Sequence, residues 1–176
     1  MPPRPRFAID YDALRVALVA AVRAATGLEQ NHVIVAEPEQ PGAPRPAAPF
    51  ATLKIISGAR AFGDDGAEQL SDTLWRFRGP RAMVVSFQFF GRSHEEALAY
   101  AAHWQAALGL PTIQARLAQG GLAVWNQGAV ADISALMQTG YEGRASIDVT
   151  FGIASTLEVD LGTIETAPVT ATVADE

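Results

Sequence analysis

Apolar residues first recur at helical spacing. Leu14, Leu18, Val22 and Ala25 fall on one face, with Ala17 and Ala21 beside them. Asp10 or Asp12 is placed to cap this helix, and Gly27 supplies the left-handed residue that ends it near Thr26. Val16 and Val19 lie off the stripe and are available as a second contact surface. A second helix begins at Ser93-His94-Glu95-Glu96, where serine and a glutamate three residues later have the spacing of a capping box. Its core face is Ala97, Ala101, Trp104 and Leu108, and Gly109 with Pro111 stops it. Thr112 to Gln119 predicts a short third helix before Gly120-Gly121.

The remaining apolar runs have the period of strands. His32 to Ala36 and Leu122 to Trp125 are short, and Arg144 to Phe151 alternates, with Ala145, Ile147, Val149 and Phe151 on one face. Phe50 to Ser57 carries Leu53, Ile55 and Ile56, which predicts burial on both faces. Thr73–Arg78 and Arg81–Phe90 read as a hairpin turning at Gly79-Pro80, with Met83, Val85, Phe87 and Phe89 facing the core. Asp132 to Gln138 predicts a short irregular or helical piece. Residues 37–49, with Pro38, Pro41, Pro44, Pro46 and Pro49, predict an extended loop, because proline removes a ladder donor. Residues 58–72 predict a second loop, polar and acidic apart from Phe62 and Leu70. From Leu157 the chain is threonine, valine, alanine and acid, which predicts an extended arm, 157–176, held by a neighbouring subunit. The pattern is that of one α+β domain, residues 1–156, followed by this arm.

Length and charge narrow the classes. At 176 residues the chain matches one ordinary domain with a core of its own. Its formal charge of −6 disfavours a dedicated nucleic-acid binder, which needs lysine and arginine to neutralise phosphates. Acidic walls suit a protein past which DNA slides without sticking. No cysteine is present, so disulfides, thiolate metal sites and a cysteine nucleophile are excluded. The start, Met1-Pro2-Pro3-Arg4-Pro5-Arg6, lacks the apolar run of a signal peptide, and no stretch has the length of a membrane span. The expectation is a soluble protein made in the cytoplasm.

Catalytic chemistry has little to work with. His32, His94 and His103 lack the spacing of a helical metal pair. Gly91-Arg92-Ser93-His94 is not a nucleophile elbow, and the glycines at 58, 63 and 66 precede no Lys-Ser/Thr of a phosphate loop. Asp64-Asp65, bounded by Gly63 and Gly66, lacks the alternating ligands of a calcium loop and reads as solvated acid. No catalytic, cofactor or metal residue is predicted. The features left over suit contacts with other proteins: Arg76, Arg78 and Arg81 near the hairpin turn, and Phe62, Asp64, Asp65 and Glu68 in the adjoining loop.

Three stretches carry a family resemblance: Pro49-Phe50-Ala51-Thr52-Leu53-Lys54-Ile55, Val85-Ser86-Phe87-Gln88-Phe89-Phe90-Gly91 and Gly140-Tyr141-Glu142-Gly143-Arg144-Ala145. Over the span from the first helix to about Ile153 the chain resembles phage neck terminator, or tail-terminator-like, proteins. The resemblance implies helices packed on one face of a mixed or antiparallel sheet with a long hairpin. It implies a virion protein, assembled in the host cytoplasm, that forms a homo-oligomeric ring, typically hexameric. Such a ring caps the tail tube, meets the head-completion or connector proteins and lets double-stranded DNA pass, with no enzyme activity, cofactor or membrane. Loop 58–72 would then face the lumen or tube, and deleting 61–68 would impair docking while sparing the fold. Two other readings compete. One is another connector or head-closure protein of the same machine; the other is a small-ligand-binding enzyme with a site assembled from scattered residues.

Overall fold

The computed structural model describes residues 9–36, 45–137 and 140–162. Among these residues there are three α-helices: α1 (Tyr11–Thr26), α2 (His94–Ala107) and α3 (Pro111–Gln119). Eight strands make one mixed sheet: β1 (Val33–Val35), β2 (Phe50–Ala61), β3 (Gly66–Gln69), β4 (Leu74–Gly91), β5 (Leu122–Gln127), β6 (Ala131–Asp132), β7 (Ala135–Met137) and β8 (Gly140–Asp160). Its central order is β1-β2-β4-β8-β5, with β3 beside β4 and with β6 and β7 beside β8. Only β1 with β2 is parallel among these pairs. The chain is a single α+β domain.

Local chemistry sets the helices where the sequence places them. The Asp10 carboxylate accepts hydrogen bonds from the backbone N–H of Asp12 (3.1 Å) and Ala13 (2.9 Å), which fixes the start of α1. Gly27, at φ 73°, closes it in the left-handed conformation. The Ser93 hydroxyl accepts from Glu96 N–H, and the Glu96 carboxylate accepts from Arg92 N–H at 2.6 Å. The capping box is therefore present, its reciprocal bond reaching one residue earlier than the usual pattern.

One face of the sheet meets all the helices. Leu53, Met83, Val85, Phe87, Phe89, Ala145, Ile147, Val149 and Phe151 alternate inward and are buried against Leu18, Val22, Ala101, Trp104 and Leu117. Each large side chain removed from water here contributes about 1.5–3 kcal/mol. At the end of the β4–β8 ladder Gly91 pairs with Gly143, directly under the first turn of α2. A Cβ on Gly143 would run into the backbone of Ser93 and His94, so the helix sits this close only because glycine is there.

The other face carries no helix among the described residues. Phe50 and Phe90 stack there at 4.3 Å between ring centres, and Arg45 lies over both rings at 4.9 and 4.8 Å while pairing with Glu142. Burial on both faces does not hold for β2: Leu53 is buried, but Ile56 is half in water.

Four expectations about strands change. The hairpin is present, but its turn lies at residues 70–73 between β3 and β4, where Leu70 and Ser71 N–H both donate to Leu74 C=O. β4 runs straight through Gly79-Pro80, pairing with Ser155 and Ala154 of β8. Proline is tolerated because its carbonyl, and with it the position of its missing N–H, points toward residues 62–65, where β2 has ended and β3 has not begun. Residues 58–72 are accordingly not a loop: β2 extends to Ala61, and Gly66–Gln69 form β3. Residues 135–137 are strand β7 rather than irregular or helical. β8 also continues to Asp160, so Leu157–Asp160 pair with Phe77–Leu74 inside the same chain. The rest of the arm, 163–176, lies outside the described residues, as does the proline-rich segment 37–44.

Candidate functional site

Past the last helix contacts, β3, the first half of β4 and the end of β8 continue as a three-stranded antiparallel ribbon. The β4–β8 register is unbroken from Leu74–Asp160 to Gly91–Gly143, so side-chain parity carries through from the core. Trp75, Phe77, Leu157 and Val159 therefore share the face that bears the helices lower down. Arg76, Arg78, Thr156, Glu158 and Glu68 share the opposite face.

At the root of the ribbon Arg81 is buried, at 7% exposure, and its guanidinium grips Asp65 with two parallel hydrogen bonds of 2.6 and 2.7 Å. Gly79 makes the room, since a Cβ there would collide with the Asp65 carboxylate and the Arg81 guanidinium. The hydrogen bond from Arg81, followed by its charge, holds the Asp65 carboxyl below the ordinary 3.8, and the same pairing raises Arg81. Arg81 also donates to Pro80 C=O at 3.1 Å. It is a strut that fixes the 62–65 turn, and it is not exposed at a hairpin tip as the sequence reading has it.

Further out, Glu68, Arg76 and Glu158 stand abreast on the three strands. Arg76 donates from Nε (2.9 Å) and Nη2 (2.7 Å) to Glu158 Oε1, and its Nη1 lies 3.7 Å from Glu68. This row ties the strands together on the polar face. Arg78 and Asp64 are exposed, and no ion pair involves them among the described residues. Phe62 is 57% exposed and packs its ring 5.0 Å from that of Trp125. Trp125 lies across Gly152, beside an open apolar groove of about 510 Å³ that Arg78, Pro80, Ala123 and Ala154 also line.

The seven residues singled out in the sequence thus gather around one ribbon and its root. Two are structural (Asp65 and Arg81), one is tied into a row (Arg76, with Glu68 beside it), and Phe62, Asp64 and Arg78 face solvent. The apolar face of the ribbon escapes the sequence reading. Its signal was the alternation Leu157-Glu158-Val159-Asp160-Leu161, with apolar residues at every second position.

Among the described residues no group of three or more histidine, aspartate or glutamate side chains is placed to hold a metal ion. No described helix is long and apolar enough to cross a membrane. His94 is exposed in the first turn of α2, 3.8 Å from Glu95, and Asp132 is lowered by hydrogen bonds from Ser134 and by the charge of His94.

None of the curated proteins matches the chain. A family model described as phage neck terminator protein matches residues 12–176, which takes in α1 from its second residue, α2, α3 and every strand of the sheet. The chain belongs to the phage neck terminator protein family, whose role is structural, in the neck of the virion.

Proposed function

We propose that this protein closes the tail tube as a ring of about six copies and presents the head-completion proteins with their docking surface. The observation that carries the reading is the family match over 12–176, since it spans the ribbon as well as the body. The ring would be homo-oligomeric, assembled in the host cytoplasm, with DNA passing through its lumen. The formal charge of −6 supports that passage, because a lumen poor in free cations gives phosphates nothing to hold. Phe62, Asp64, Glu68, Arg76 and Arg78 are the contact residues of this reading toward tube or connector, positioned by the Asp65–Arg81 strut.

The test is addition of the purified protein to growing tail tubes, with tube length read by electron microscopy. Capped ends and arrested growth support the proposal. Tubes that lengthen as they do without the protein contradict it. Deleting 61–68 is the wrong perturbation, because it removes Asp65 from a buried arginine. Asp64→Lys with Arg78→Glu alters the same surface and leaves the strut in place.

A further inference from the structure

A head-to-tail ring needs two different patches on each subunit, one to meet the other on the next copy. Two apolar patches of different make-up are present among the described residues. The first is the apolar face of the ribbon, Trp75, Phe77, Leu157 and Val159, each half-buried and none of them part of the main core. The second is a groove of about 280 Å³ between the outer side of α1 and the edge strand β1. Val16, Val19, Ala20 and Val35 line it, and Val16 is 70% exposed. An isolated exposed valine needs no explanation, but one beside a concave apolar strip at an open sheet edge does.

Charge relates the two. The ribbon and its root, residues 62–81 and 154–162, hold six carboxylates (Asp64, Asp65, Glu68, Asp72, Glu158, Asp160) against three arginines (Arg76, Arg78, Arg81). The groove is flanked by Arg15, which also bonds Asp12 at 3.0 Å, and by Arg23 in the last turn of α1. We infer that the ribbon of one copy lays its aromatic face into the α1–β1 groove of the next, which brings the net negative ribbon against the side of the neighbour that carries Arg15 and Arg23. The inference rests on the ring reading and names the surfaces that make the ring. Apolar area supplies the affinity of such a contact, and the opposite net charges of the two regions favour it over a ribbon-to-ribbon pairing.

The chain contains no cysteine, which makes the contact directly readable. Val16→Cys and Leu157→Cys are introduced singly and together, and the oxidised proteins are run without reductant. The double variant is expected to give a ladder of covalent oligomers ending at the ring, and each single variant only monomer. A second variant, Val16→Asp, places a carboxylate in the contact from a position already in water. It is expected to melt with the wild type and to raise the concentration for half-assembly roughly tenfold or more. If the double variant gives no ladder where light scattering shows the ring, these surfaces are wrong and the ring stands. Single variants that cross-link as well as the double would mean a face-to-face contact, which also overturns the inference. A wild-type chain that stays monomeric both alone and on tubes removes the ring reading itself, and the inference with it.

Discussion

Trp104 anchors α2 to the sheet, and its replacement separates two terms that normally act together. The side chain is fully buried, with its ring 4.9 Å from Phe87, yet its indole N–H has no hydrogen-bond partner among the described residues. Trp104→Phe removes roughly 40 Å³ of side chain, and a cavity of that size costs about 1 kcal/mol. The apolar surface lost adds about 1 kcal/mol more. Against this, the substitution deletes a buried unpaired donor, whose desolvation costs about 1–3 kcal/mol. The two sides nearly cancel, so the net change is expected within about 1 kcal/mol of zero. Phe151→Ala, in the same core but with no polar atom to relieve, is expected to cost about 3–5 kcal/mol. Urea unfolding followed by far-ultraviolet circular dichroism measures both. A loss above about 3 kcal/mol for Trp104→Phe would mean instead that the indole N–H is satisfied and that no donor is relieved.

Other perturbations probe the joints that place the ribbon. Gly143→Ala drives a methyl into the backbone at the start of α2 and is expected to destabilise by about 1–3 kcal/mol in the same assay, whereas an unchanged midpoint would show that the joint can yield. Ser93→Ala removes the cap of α2 and should cost about 1 kcal/mol, with Ser93→Asp restoring most of it. The Asp65 carboxyl titrates below 3.8 in the folded protein, so its contribution is present above that value and disappears as pH falls through the lowered one. The difference in melting temperature between wild type and Asp65→Asn should therefore be constant from about pH 5 to 7 and shrink in acid below about pH 4; a difference that grows in acid would reverse the assignment.

Helices and core strands were legible because their signals are local. The stripe of Leu14, Leu18 and Val22, the box at Ser93 and the alternation of Ala145, Ile147, Val149 and Phe151 each fix an element within a few residues. The ribbon was not, because its order comes from pairing between residues about 80 positions apart. Gly79-Pro80 carries the chemistry of a turn, yet β8 supplies a continuous partner and the missing N–H falls at a gap in the sheet. Gly66-Ala67-Glu68-Gln69 is exposed at every residue, so no alternation marks it as a strand. The same reason hides the site. Composition picked out Asp65, Glu68, Arg76 and Arg81, but only the register shows that Arg81 is a buried strut and that Arg76 lies between two carboxylates.

Assembly into a ring shows itself in the mass of the particle. Light scattering of the purified protein across concentration, alone and with tail tubes, is expected to show a species near six times 18.6 kDa, forming at lower concentration when tubes are present. A mass that stays at 18.6 kDa alone, with no protein retained at tube ends, would contradict the account.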